Sequence, residues 1–164
     1  MAMVGLFWIT ADAVYVGAPP GTEGRGARLT EKGVEAGAAG DHRTWTWEEL
    51  RSASVEGAPV RGASRRRLAL AVEAVLTAAL GGTGEPPEML LRLETASGSE
   101  ELPVHSAAAG AYDEEEFTLS QNLLARFVDG EASPRTLTAW GAIAGDTSPK
   151  RPERQALLRK WTGG

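Results

Sequence analysis

Four arginines, Arg61, Arg65, Arg66 and Arg67, stand close together in the middle of the chain. Guanidinium groups at that spacing can hold a carboxylate, a phosphate or an anionic lipid headgroup. The residues that follow predict how they are presented. Ser64 is placed as an N-cap, Leu68, Val72, Val75, Leu76 and Ala79 recur at helical spacing up to Leu80, and Gly81-Gly82 supply the stop. Arg65, Arg66 and Arg67 then fall in the first turn, where the helix dipole makes positive charge mildly unfavourable. Two readings follow: a cluster kept for an anionic ligand or partner, or a solvated face paired with acids such as Glu73 or the turn over 113–116.

The other chemistry-bearing residue types form weaker patterns. The glycine-rich stretch Gly21 to Gly26 precedes a strand pattern and not a helix, and Glu23 within it would repel phosphate, so it reads as a hairpin loop. His42 and His105 are the only histidines, and neither has a partner at metal-ligand spacing. The chain has no cysteine, which removes disulfides, thiolate catalysis and cysteine-ligated zinc. No serine sits in a G-x-S-x-G turn. The carboxylate pairs Glu48-Glu49 and Glu100-Glu101 are adjacent in sequence, a spacing that does not set them across a cleft. The expectation is a non-catalytic chain without cofactor or metal. Trp140 and Trp161, on short terminal segments, are candidate anchors for another chain or plugs for this one's own core.

Composition narrows the classes further. A length of 164 residues suits one domain with a real core, and 42% hydrophobic with 24% charged residues is ordinary for a globular protein. A net charge of −5 argues against a nucleic-acid surface, which needs clustered positive charge. The apolar N-terminus lacks a basic flank and meets Asp12 early, and no run approaches the length of a membrane span. A cytoplasmic location is expected, with peripheral membrane contact through the arginines as an alternative. The preference for arginine over lysine, with abundant alanine and glycine, points to a GC-rich genome such as an actinobacterium.

The elements that must position these residues are short strands followed by helices. Leu6–Thr10 and Ala13–Gly17 read as a hairpin about Ala11-Asp12, followed by strands over Ala27–Thr30 and Val34–Ala36. Trp45 and Trp47 share one face of an extended segment that runs through Glu48-Glu49 into a strand over Arg51–Val55. Met89–Thr95 and Glu101–His105 form a second hairpin around Ala96–Ser99. Asp113 and Glu116 have capping-box spacing, Tyr112 and Phe117 the spacing of a hydrophobic staple, and Phe117, Leu124, Phe127 and Val128 make a buried stripe ending at Gly130. Ser133-Pro134 and Pro152 open two short terminal helices.

Consecutive short strands, the segment T-W-T-W-E-E-L-R-S-A-S-V, a hairpin and one capped helix resemble the pleckstrin-homology-like (PH/GRAM-like) domains of bacteria over roughly 5–129. Trp45, Trp47, Leu50 and Val55 hold the places of that family's tryptophan strand. The resemblance implies an α+β fold: a strongly bent antiparallel sheet or partly open barrel over 1–130, closed by the helix at about 113–128. The helix at about 64–80 would be an insertion, and 131–164 a short helical extension. It also implies a binding or assembly scaffold, for a protein partner or a second copy. Lipid binding is not implied, because Ala11-Asp12-Ala13 replace the basic first hairpin loop of the family's phosphoinositide binders. A small-ligand enzyme with its site in the barrel mouth is the remaining alternative.

Overall fold

The alternation of apolar residues is realised as two antiparallel meanders. The computed structural model describes residues 2–20, 26–37, 42–61, 88–108 and 110–163. Strands β1 (Ala2–Val4), β2 (Phe7–Ile9), β3 (Val14–Val16), β4 (Ala27–Leu29), β5 (Gly33–Ala36) and β6 (Arg43–Thr46) pair in sequence order as a six-stranded sheet. In the first three strands two buried residues flank a half-buried one, so Val4, Phe7, Ile9, Val14 and Val16 share the inner face. Strands β7 (Leu50–Glu56), β8 (Glu88–Thr95) and β9 (Gly98–His105) form a three-stranded sheet with a register shift between Leu50 and Ser52. The β8–β9 turn is tighter than Ala96–Ser99, because Gly98 and Ser99 already pair with Thr95 and Glu94.

The sheets do not close into a barrel. β6 and β7 are joined by the turn Trp47–Glu49 yet do not pair. The outward backbone of Thr46 is already taken, its N–H donating to the Glu49 carboxylate at 2.9 Å and its carbonyl accepting from the Glu49 N–H at 3.1 Å. Trp47 therefore sits in the turn and not in a strand. Its indole N–H donates to the Thr30 carbonyl at 2.9 Å, and its ring lies 5.7 Å from that of Phe127.

Helix α1 (Glu114–Asp129) covers the core. The Asp113 side chain accepts from the Glu116 N–H at 3.3 Å, and Gly130, at φ 75°, ends the helix by donating to the carbonyls of Arg126 and Phe127. The capping box is only half formed. The Glu116 side chain turns inward to Arg154, a charge-assisted partner stronger than the backbone N–H it would otherwise reach. Leu123, Leu124 and Phe127 are buried, while Phe117 and Val128 are half-buried. α1 packs along β7, and Phe127 meets Phe7 of the larger sheet edge-on at 6.1 Å, so one core joins both sheets and the helix. The β1–β2 turn locks onto α1 as well. Leu6 donates its N–H to the Ser120 hydroxyl at 3.1 Å, and Gly5, at φ 57°, leaves no room for a Cβ, which would lie 2.1 Å from that oxygen.

Residues of the C-terminal extension dock on this body. α2 (Pro134–Ala144) is capped by Ser133 and lies on β2 and β3 through Gly141, where a Cβ would meet the Thr10 carbonyl at 2.6 Å. α3 (Arg151–Trp161) lies against α1 and β1. No described helix is long and apolar enough to cross a membrane. The segment 62–87, with the helix expected over Ser64–Leu80, lies between β7 and β8 outside the described residues.

Candidate functional site

Open sheets leave edges, and an edge strand offers unpaired backbone groups to any passing strand. Of the four edges of the two sheets, β1 lies against α3, and the other three face different fates. At β7, the Gln121 side chain donates to the Val55 carbonyl at 2.7 Å and accepts from the Val55 N–H at 3.0 Å. Because Val55 points its backbone away from β8, the antiparallel alternation turns Leu91 toward its partner Leu102 and leaves Pro103 facing out on β9. Proline has no N–H to offer there. Two residues on, the His105 carbonyl accepts from Ala18 N–H at 2.7 Å, tying β9 to the end of β3.

β6 is different. Its outward groups belong to Thr46 and, by the same alternation, to Thr44, while Trp45 pairs inward with Val34. Thr46 is closed by Glu49, as described above. Thr44 is exposed, and no described residue bonds its outward N–H or carbonyl.

That unpaired stretch opens on a cleft of about 480 Å³, with Thr44 and Trp45 on one wall and the β8–β9 tip from Thr95 to Glu100 on the other. Glu49 and Glu100 are the charged residues of its described lining, both carboxylates. The Arg43 guanidinium lies 5.0 Å over the Trp45 ring and 3.3 Å from Glu100. The half-buried indole thus forms part of the cleft wall as well as the edge of the core.

Of the arginines, the structure places Arg61 only; Arg65, Arg66 and Arg67 lie outside the described residues. Arg61 donates its backbone N–H to the Tyr112 carbonyl at 2.8 Å, and its side chain borders a cavity of about 130 Å³ shared with Arg151, Arg154, Asp113 and Glu116. Arg151 pairs with Asp113 at 2.5 Å. Arg154 bonds Glu116 at 2.6 and 3.3 Å and the Pro149 carbonyl at 2.9 Å. Burial raises the pKa of Asp113, but hydrogen bonds from the Glu116 and Glu115 amides and from Gln155, with the charge of Arg151, outweigh it and hold the carboxyl below its ordinary value. Here Arg151 and Arg154 are matched by acids, and no described acid pairs with Arg61.

Trp140 and Trp161 pack edge-to-face on one another at 5.8 Å, and Trp161 is buried within the chain. His42 is exposed ahead of β6, and His105 ends β9 with its Nδ1 buried and without a hydrogen-bond partner among the described residues. Among the described residues, the two histidines, Arg61 and the tryptophans do not share one site. The cleft was not visible as a site in the sequence; its only signal was the exposed threonines flanking Trp45, which mark a face but not an edge.

Compared with known proteins, the chain matches no family model, no curated protein and no solved structure.

Proposed function

We propose that this chain is a non-catalytic protein-interaction module with a PH-like arrangement, binding its partner by strand addition at β6. A meander, a second three-stranded meander and a helix laid along β7 support the architectural reading. The observation that carries the function is Thr44, an edge residue with outward backbone groups unmatched among the described residues, beside a cleft. Main-chain bonds to such an edge give affinity, and flanking pockets give specificity. Thr44→Pro removes the outward N–H without touching the bonds to β5, so it leaves the fold intact. Proteins retained by the wild-type chain and lost from folded Thr44→Pro, checked by circular dichroism, support the reading. Identical retained sets overturn it.

A second reading, an anionic headgroup or phosphate ligand, is favoured by the convergence of Arg61, Arg151 and Arg154 on one cavity. Sedimentation with anionic vesicles tests it, and binding unchanged in Arg61→Ala removes it.

A further inference from the structure

We propose that the strand taken up by β6 is an extended segment of a partner protein with lysine or arginine at alternate positions, an inference that rests on the edge-strand reading above. In an added strand, the residue exchanging main-chain bonds with Thr44 points its side chain to the face that Thr44 itself occupies. Its two neighbours point to the opposite face, the one carrying Arg43 and Trp45. On that side the incoming side chains meet the Trp45 indole, with Glu100 opposite and Glu49 at the end of β6's turn. A long aliphatic stem lies well on an indole while its cationic head reaches a carboxylate. An acidic side chain there would meet two carboxylates, Glu49 and Glu100, against one guanidinium, Arg43, that is already paired with Glu100.

The chain already contains the arrangement in miniature. Arg43 lays its guanidinium over Trp45 and pairs with Glu100, and all of this happens at the rim of the cleft. An incoming cation would repeat that contact from the other side. The exposed Glu48, next to Glu49 in the same turn, carries the same sign, so the approach is also steered toward a basic segment.

The test is titration of the isotope-labelled full chain with an acetylated, amidated pentapeptide of alternating lysine and valine, beside its counterpart with glutamate for each lysine. The lysine peptide is expected to move the amide resonances of Thr44, Trp45 and Ser99, with binding that weakens as salt rises, and the glutamate peptide to leave them in place. Glu100→Gln, and Glu49→Gln, which keeps an acceptor for Thr46, should each weaken binding about threefold, the scale of an exposed ion pair. Thr44→Pro should abolish it. Equal shifts with both peptides would overturn the charge inference and leave the edge-strand reading standing. A Thr44 resonance unmoved by either peptide, with an unchanged retained set in Thr44→Pro, would remove both. A doubled solution mass that Thr44→Pro abolishes would make the occupant a second copy and overturn the proposal.

Discussion

The carboxamide of Gln121 does for Val55 what a neighbouring strand would do, donating to its carbonyl at 2.7 Å and accepting from its N–H at 3.0 Å. A side chain of α1 thereby finishes the hydrogen bonding of β7 where no strand lies beside it. Gln121→Ala should leave both Val55 groups half-buried and unbonded, costing about 1–3 kcal/mol in urea unfolding. Amide exchange at Val55 should accelerate more than at Ala53. Gln121→Glu should be at least as damaging, since a carboxylate cannot donate to the Val55 carbonyl.

The Glu116–Arg154 pair joins α1 to α3, and the carboxylate side chain is only 5% exposed. Arg154→Ala strands that charge, and the expected loss is about 3–5 kcal/mol in a denaturant titration. Glu116→Gln should cost less, because the neutral amide still accepts from the guanidinium. No loss from either variant would show that the two helices are held by their apolar contacts alone.

Asp113 gives the fold an acid limb. Its pKa in the folded chain is lowered, so its contribution is present above the unfolded value of about 3.9 and is lost as pH falls through the lower folded value. Asp113→Asn keeps the cap acceptor but not the charge. The variant should be less stable than wild type at neutral pH, and the gap should close as pH falls below about 4 in thermal melts followed by circular dichroism.

Trp47 bridges the β6–β7 turn and α1 through its ring contact with Phe127 and its bond to Thr30. Trp47→Ala should cost about 3 kcal/mol, the low end for a large aromatic because the side chain is half-buried. Trp47→Phe isolates the hydrogen bond and should cost about 1 kcal/mol. Both are measurable by chemical denaturation.

Most of the strands were legible because each carries its own signal, although β1, only three residues long, was not. Phe7 and Ile9, Val14 and Val16, and Leu91 and Leu93 alternate as one-faced strands must, and Asp113, Ser133-Pro134 and Gly130 mark helix ends by local chemistry. The partition into two sheets was not legible. It turns on Glu49 closing Thr46, a hydrogen bond that no periodicity encodes. Gln121 with the Val55 backbone and Arg154 with Glu116 are likewise polar groups matched across 66 and 38 positions. The candidate site shares this difficulty. Arg61 stood out by charge and Trp140 and Trp161 by residue type, whereas the edge at Thr44 is defined by which neighbours fail to reach it. Only the assembled backbone shows that.

The bond from the Leu6 amide to the Ser120 hydroxyl spans 114 positions. During synthesis, β1 and β2 leave the ribosome on the order of ten seconds before the helix that receives their turn. Through that interval Phe7 and Ile9 have no cover from α1, so the nascent hairpin is a ready substrate for chaperones. A translational pause placed after α1 should do no harm, while one placed just before it should lower the yield of folded chain.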